Sequence, residues 1–345
     1  MQAFQLVEWQ KPCAIREVSV PEPGPGQVLV KIGGAGACHS DLHLMEAPAG
    51  AKAIKLPITL GHENAGWIQK LGSGAIGFAV GDPVIVYGPW GCGLCGNCRV
   101  GMENYCENPT NERPGGLGRN GGMANYMVVP STRFLLPLGN LDPREAAPLT
   151  DAALTSYHAV KRSLHLLGPG STAVVIGAGG LGQMAIQVLR ALSGATTVVA
   201  VDTSPAKLEI AKKMGADEAL VSDSDAVKRV KDITRGQGAN VVLDMVGVKP
   251  TLEMAAQISG VLGHVTIVGL GNSALPVNFQ SPAKECSVAA PYWGSIPELM
   301  AVIGLARAGK IKMLVEQFPL ERASEAYHLL HDGKIQGRAV IIPNG

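Results

Sequence analysis

The sequence predicts an α/β protein of two domains, one compact and β-rich, the other a doubly wound parallel sheet. Three observations carry that prediction. Near residue 150 the texture changes from short runs broken by Pro and Gly to apolar strands alternating with helical stretches. A glycine run, Gly177-Ala178-Gly179-Gly180-Leu181-Gly182, follows one of those strands directly and opens a helical pattern. Four of the seven cysteines crowd into the window from Cys92 to Cys106. A chain of 345 residues also exceeds what one ordinary hydrophobic core accommodates.

From residue 1 to 150 the expected elements are short alternating strands such as Val28–Ile32 and Val84–Val86. Pro21-Glu22-Pro23-Gly24-Pro25-Gly26 is the densest turn cluster. Within this domain, near residues 91–107, the spacing C-x2-C-x2-C-x7-C lets a short lobe bring the thiolates of Cys92, Cys95, Cys98 and Cys106 around one ion. That is the pattern of a closed structural Zn2+ site. Iron–sulfur ligation and disulfides are the competing readings, and two-residue spacings suit a metal better than disulfides. Four cysteines leave no position for substrate, so any chemistry lies elsewhere.

From residue 151 to 285 the apolar runs Ala173–Ile176, Val198–Val201, Val241–Leu243 and Val265–Val268 read as parallel strands with helical crossovers. Leu181, Ala185, Val188, Leu189 and Leu192 recur on one helical face. Another helix follows Asp202, with Pro205 in its first turn and Gly215 at its end. Gly177, Gly179, Gly180 and Gly182 fit the dinucleotide fingerprint. They permit a tight turn, a close approach to a pyrophosphate and a helix start whose amides face the phosphates. Asp202 lies twenty residues past Gly182, where its carboxylate accepts from ribose hydroxyls and repels a 2′-phosphate. No arginine follows in Thr203-Ser204-Pro205-Ala206. The expected cofactor is NAD rather than NADP; a glycine-rich turn that binds no nucleotide is the alternative. Residues 286–345 return to mixed texture and are expected to rejoin the first domain.

Bulk numbers exclude several classes. Hydrophobic content of 46% with 17% charged residues is a globular composition. A net charge of +1 provides no field for nucleic acid or an anionic membrane. The most apolar stretch, Ala173 to Leu192, is broken by four glycines and by Gln183, Gln187 and Arg190, against a membrane span. Met1 to Glu8 lacks the basic head and apolar run of a signal peptide, so a reduced, cytoplasmic setting is expected.

Cys38-His39-Ser40-Asp41-Leu42-His43 and Gly61-His62-Glu63 supply the remaining candidate metal ligands. With G-H-E-N-A-G, the four-Cys lobe, G-A-G-G-L-G and the late G-K-I-Q-G-R, the chain resembles the zinc-dependent medium-chain alcohol dehydrogenases. The resemblance is strongest to their microbial secondary-alcohol branch and runs over essentially the whole length. It implies a GroES-like catalytic domain, a Rossmann cofactor domain, NAD, and two Zn2+ per subunit. By that resemblance Cys38, His62 and Asp151 hold the catalytic zinc. Asp151 stands where many members have cysteine, and a carboxylate keeps the charge balance of a thiolate. The alternative is that Asp151 only caps a helix starting near Ala152. Glu63 matches a glutamate near the metal, and Asp41 one that holds the histidine's other nitrogen.

The resemblance further implies that Ser40 and His43 relay the substrate proton, and that His39 and Arg338 contact the pyrophosphate. Lys207 would contact the adenosine ribose, Leu181 lies in the phosphate turn, and Val268 packs near the nicotinamide. Ala49 and Gly88 stand where others have bulky aromatics, and Tyr292 and Trp293 match a segment lining the alcohol pocket. Together they imply room for a bulky or aryl secondary alcohol or ketone. A homotetramer is implied the same way. The rivals are a polyol or amino-alcohol dehydrogenase with the same zinc chemistry, and a non-catalytic NAD- and zinc-binding sensor. The zinc-free quinone reductases lack these ligands. Cys13 and Cys286 are expected to be packing thiols.

Overall fold

The computed structural model describes residues 1–50, 54–108 and 114–344. The chain divides into two units, one of residues 1–151, 295–307 and 313–345, the other of residues 152–294 and 308–312.

In the first unit the opening strands are β1 (Gln2–Leu6), β2 (Ala14–Glu17) and β3 (Val28–Gly36), followed by helix α1 (His39–Met45). Next come β4 (Ile58–Thr59), β5 (Glu63–Leu71), β6 (Pro83–Val86) and the short helix α2 (Gly96–Arg99). β7 (Tyr126–Val129), β8 (Leu135–Pro137) and helix α3 (Pro143–Ala146) complete its first stretch. The second unit holds helix α4 (Ala152–Ser163), β9 (Thr172–Ile176), α5 (Gly180–Leu192), β10 (Thr197–Asp202) and α6 (Pro205–Lys213). It continues with β11 (Glu218–Val221), α7 (Ala226–Ile233), β12 (Ala239–Asp244), α8 (Lys249–Ile258), β13 (Ser259–Ile267) and β14 (Ser287–Ala289). The chain then returns to the first unit with α9 (Ile296–Arg307), β15 (Val315–Pro319), α10 (Ala323–His331) and β16 (Arg338–Ile342).

A seven-stranded sheet organises the first unit, in the order β15-β16-β3-β5-β6-β8 with β7 also on β3. Its central strand β3 is buried along almost its whole length, so it reads as Val, Leu, Ile, Ala and Gly rather than as an alternation. It runs on to Gly36, beyond the Val28–Ile32 core that its sequence marks, because Gly and Ala let β5 and β16 approach closely on either side. The register sets the site. Gly36 lies opposite Glu63 on β5 and opposite Val340 on β16. The Ala37 amide then donates to the Ala339 carbonyl at 2.9 Å, and the same register brings Arg338 opposite Cys38.

In the second unit all six strands run parallel, in the order β11-β10-β9-β12-β13-β14. Numbered from β9, that order is 3-2-1-4-5-6, the doubly wound arrangement whose crevice lies where the strand order reverses, between β9 and β12. Every residue of β9 is buried, as expected when helices cover both faces of a parallel strand. Val174, Ile176, Val199, Val201, Val242 and Val265 form the centre of this core. Strand β13 ends at Ile267, so Val268 begins the following loop, and its amide donates to the Asp244 carbonyl at 2.8 Å. No helix among the described residues is long and apolar enough to cross a membrane.

Candidate metal centre and dinucleotide turn

Cys38 lies two residues beyond the end of β3 and is the N-cap of α1. Asp41, three residues into the helix, turns back so that the Cys38 amide donates to Asp41 Oδ2 at 3.0 Å, completing a capping box. The cap that starts the helix therefore also fixes the sulfur. His62 follows Gly61, whose φ of +92° an L side chain rarely adopts. A Cβ at Gly61 would also lie 2.7 Å from Met123 Cγ, so the turn that presents His62 needs glycine twice over. Glu63 opens β5 against Gly36, where any Cβ would overlap the Glu63 carboxylate. Asp151 follows a 3-10 turn over Ala147–Thr150, just before α4.

These segments bring Cys38, His62, Glu63 and Asp151 together, with ligand atoms all within 4.8 Å of one another. Cys38 Sγ lies 3.8 Å from Asp151 Oδ2, and His62 Nε2 lies 3.4 Å from the same oxygen. Donors at Zn–S and Zn–N/O bond lengths on a tetrahedron stand about 3.3–3.8 Å apart, so the spacing fits one zinc ion. The charges fit as well. Cys38, Glu63 and Asp151 offer three anionic groups in a buried pocket, faced by the Arg338 guanidinium, which is 3% exposed. A divalent cation held there would supply positive charge to balance them.

The protonation tendencies follow burial and the neighbouring charges. Burial pushes the Cys38 thiol up, but the positive Arg338 and a bond with His62 outweigh it, and the net shift is down. Burial would lower His62; the carboxylates of Asp41 and Asp151 hold it well above the usual imidazole value. Asp151 is lowered despite its burial because His62 and Arg338 stabilise its charge. Glu63 is raised by burial, more than Arg338 can offset.

Arg338 Nε donates to Glu63 Oε2 at 2.9 Å, its Nη2 pairs with Glu63 Oε1, and Nη2 lies 3.4 Å from Asp151 Oδ2. The structure thus places Arg338 within the metal cluster, with its guanidinium on the Glu63 and Asp151 carboxylates. Asp41 Oδ1 lies 3.0 Å from His62 Nδ1, leaving Nε2 directed at the cluster. Tyr327 donates to Asp41 Oδ2 at 2.8 Å, a contact no sequence signal announced.

Ser40 is half-buried, with Oγ 3.6 Å from Cys38 Sγ, and His43 is exposed three residues along α1. His39 is exposed at the start of that helix. Of the candidates for the alcohol pocket, Ala49 is exposed and Gly88 is buried beyond the end of β6. Tyr292 is half exposed and Trp293 buried, their rings edge-on at 6.0 Å, with Trp293 at φ +55°.

Cys92, Cys95, Cys98 and Cys106 form the second cluster of metal-ligating atoms, with Cys92 Sγ 4.0 Å from Cys98 Sγ. The Leu94 and Cys95 amides donate to Cys92 Sγ at 3.4 Å, and these bonds lower the half-buried Cys92 thiol to about 6. The Cys92 and Asn108 amides donate to Cys106 Sγ at 3.3 Å. Amides aimed at sulfur are what thiolates bound to a metal need. Arg133 braces the lobe. Its Nε donates to the buried Glu103 at 2.6 Å, and its Nη2 donates to the Cys98 carbonyl. Burial leads in raising both Cys13, pushed up to about 12, and Cys286, so both stay protonated thiols.

In the second unit the glycine turn connects β9 to α5, and Gly180, Leu181 and Gly182 form the first turn of that helix. Gly177 has φ +92°, and a Cβ at Gly182 would overlap the Gly177 carbonyl, so the turn closes only with glycine at both. A Cβ at Gly179, the N-cap, would meet nothing within 4 Å, and no side chain caps the helix. Open space above uncapped amides suits a phosphate. Asp202 ends β10; Oδ2 accepts from the Ala178 amide at 2.7 Å and Oδ1 from the Ser204 amide at 2.8 Å. That clamps the carboxylate beside the turn while leaving it lone pairs for hydroxyl donors. Lys207 is half-buried in the first turn of α6, its amide 3.5 Å from Ser204 Oγ.

Comparison with known proteins agrees with both halves of this geometry. Residues 24–140 match the alcohol dehydrogenase GroES-like domain, and residues 180–307 the zinc-binding dehydrogenase family. An NAD-dependent alcohol dehydrogenase of Sulfurisphaera tokodaii is 39% identical, covering 99% of this chain and 100% of the relative. A D-arabinose 1-dehydrogenase (NADP+) of Saccharolobus solfataricus is 36% identical over 99% of this chain and 97% of its own. The crystal structure of the alcohol dehydrogenase of Aeropyrum pernix superposes with a TM-score of 0.93 at 37% identity, covering 99% of this chain and all of that one.

Proposed function

The chain belongs to the zinc-dependent medium-chain alcohol dehydrogenases, and on that premise we propose that it transfers a hydride between NAD(H) and an alcohol/ketone pair, with a secondary alcohol as substrate. The observation that carries the reading is the buried Cys38–His62–Asp151 triad. These three would hold a zinc ion as a catalytic site does, with a fourth position for substrate, whereas the four-cysteine lobe would fill all four positions with protein ligands. A zinc ion held by the triad supplies the Lewis acidity that makes an alcohol's hydroxyl proton labile near neutral pH, and NAD supplies the hydride acceptor.

The chain's own groups do the rest. Asp41 holds the His62 ring so that Nε2 faces the cluster. Arg338 balances Glu63 and Asp151, which keeps the anionic pocket from repelling a deprotonating hydroxyl. Ser40, half-buried beside Cys38, accepts the hydroxyl proton as it hands on its own, and His43 on the exposed side of α1 delivers a proton to solvent, as the resemblance suggests. Asp202 accepts from the ribose hydroxyls and its charge disfavours a 2′-phosphate. His39 and Lys207 serve the pyrophosphate and the ribose, and Val268 the nicotinamide, on the same ground. Small residues at Ala49 and Gly88 favour a bulky or aryl substrate, as the resemblance suggests. A homotetramer in the cytoplasm is the setting we assign.

A polyol or sugar substrate is the second reading, favoured by the D-arabinose dehydrogenase among the relatives. A panel of primary, aliphatic secondary, aryl secondary and polyol substrates, each with NAD and NADP, separates the two. Rapid NAD reduction by secondary alcohols that a chelator abolishes supports the proposal; preference for polyols replaces it. Cys38→Ser should lose turnover and one zinc with the fold retained. Cys95→Ser should lose the other zinc and mainly stability. Near-normal turnover in Cys38→Ser would refute the catalytic assignment.

A further inference from the structure

We propose that Tyr327 is a positioning residue for the catalytic metal: its hydroxyl fixes the Asp41 carboxylate that orients His62. The inference rests on the zinc reading above and extends it one residue further from the ion. Tyr327 sits on α10, 286 residues from Asp41, and its hydroxyl donates to Asp41 Oδ2 at 2.8 Å. Asp41 Oδ1 is 3.0 Å from His62 Nδ1, and Oδ2 also accepts from the Cys38 amide at 3.0 Å. One carboxylate thus ties together two metal ligands and the phenol.

Burial gives the third donor its weight. Asp41 is 0% exposed, His62 2% and Tyr327 4%. A carboxylate shut away from water depends on the donors around it both for its charge and for its angle. The ring of Tyr327 is itself held, stacked on Phe4 at 5.9 Å and 14°, with its hydroxyl 3.3 Å from Met123 Sδ. Burial and then the Asp41 charge raise the phenol well above its ordinary value, so it keeps its proton and stays a donor. Phenylalanine would fill the same space, so core packing alone does not call for the hydroxyl. The same segment then enters β16 with Arg338, which faces the cluster through Glu63 and Asp151. The C-terminal helix and strand thus brace the metal ligands at two points.

Removing the hydroxyl leaves Oδ2 with the Cys38 amide alone among these donors. The carboxylate is then freer to rotate, and it draws harder on the His62 Nδ1 proton. Loss of a partner in direct contact with a ligating histidine costs about 10–100-fold in metal affinity or activity. One hydrogen bond further out, a change of about three- to tenfold follows.

The test uses the full-length, zinc-loaded protein and follows zinc release into excess chelator with a chromogenic indicator. Cys38→Ser identifies the phase that belongs to the catalytic ion. Tyr327→Phe should speed that phase about three- to tenfold, leave the four-cysteine phase unchanged, and shift the visible bands of cobalt placed in the catalytic site. Phe4→Leu loosens the ring's packing but keeps the hydroxyl; it should lower the melting temperature and leave catalytic release within about twofold of the parent. Parent-like release and an unshifted cobalt spectrum in Tyr327→Phe would overturn the role of Tyr327 and leave the zinc reading standing. Equal acceleration by Phe4→Leu would overturn it as well, since packing alone would then suffice. Retention of both zinc ions by Cys38→Ser would overturn the zinc reading and this inference together.

Discussion

Replacing Arg338 with methionine separates two roles for that residue. Its guanidinium is buried against Glu63, with 4% and 0% side-chain exposure, and reaches Asp151 at 3.4 Å. Methionine preserves much of the apolar volume and removes the charge. Taking away one partner of a buried, hydrogen-bonded pair costs about 3–5 kcal/mol, because the other charge is left uncompensated. Glu63 already tends toward its neutral form through burial, which relieves part of that cost, so the lower end, about 3 kcal/mol, is expected. At roughly 2–4 °C per kcal/mol for a unit of this size, the melting temperature should fall by about 6–12 °C. Glu63→Gln in the same background should recover part of the loss, because the amide leaves no unpaired charge, whereas independent effects would simply add. The assay is thermal unfolding of the parent, both single variants and the double variant, with dinucleotide affinity measured beside it. A parent-like melting temperature in Arg338→Met, with dinucleotide binding weakened tenfold or more, would refute the metal-cluster role. It would make the pyrophosphate contact that the resemblance implies the role of Arg338.

Asp202→Ala should weaken NAD binding by about 10–100-fold, the loss of charge-assisted bonds to ribose hydroxyls, and weaken NADP far less or improve it. Binding titrations with both dinucleotides check this; parallel losses would mean that Asp202 only braces the glycine turn. His264 sets a pH dependence in the second unit. Burial, then the charges of Arg162 and His165, lowers its imidazole, while Nδ1 lies 2.7 Å from Ser287 Oγ. The folded protein therefore prefers neutral His264. That stability is fully present above the unfolded imidazole value of about 6.5 and is lost as pH falls through the lower folded value. Melting temperatures of the parent and His264→Gln between pH 7.5 and pH 5, roughly the span over which an imidazole titrates, should show a steeper acid decline in the parent. Parallel curves would refute the assignment.

What could be read in the sequence was local. The four-cysteine lobe is legible because its ligands share one short window, so spacing alone fixes which atoms can meet. The glycine turn and Asp202 are legible for a related reason: a strand, a turn and a helix start form one unit, and the next strand lies beside it in the sheet. The helix after Asp202 follows its punctuation, Pro205 opening it and Gly215 following at φ +110°. Strand limits were less legible. β3 extends to Gly36 and β13 stops at Ile267, because pairing partners rather than propensity decide where a ladder ends.

The catalytic cluster belongs to the other category. The segments C-H-S-D-L-H and G-H-E name Cys38, His62 and Glu63 only as candidates, and the family resemblance adds Asp151 and joins them. The tertiary structure brings them together by register: Glu63 opposite Gly36, and Val340 opposite the same glycine, which carries Arg338 to Glu63 and Asp151. Tyr327 carries no motif, since a tyrosine in an amphipathic helix reads the same whether its hydroxyl meets water or a buried carboxylate. The sequence by itself therefore determined the chain's closed metal lobe, its dinucleotide turn and its family. Only the packing of distant strands decided which charges share the buried site, because electrostatic pairing in a low-dielectric interior depends on distances that local spacing does not encode.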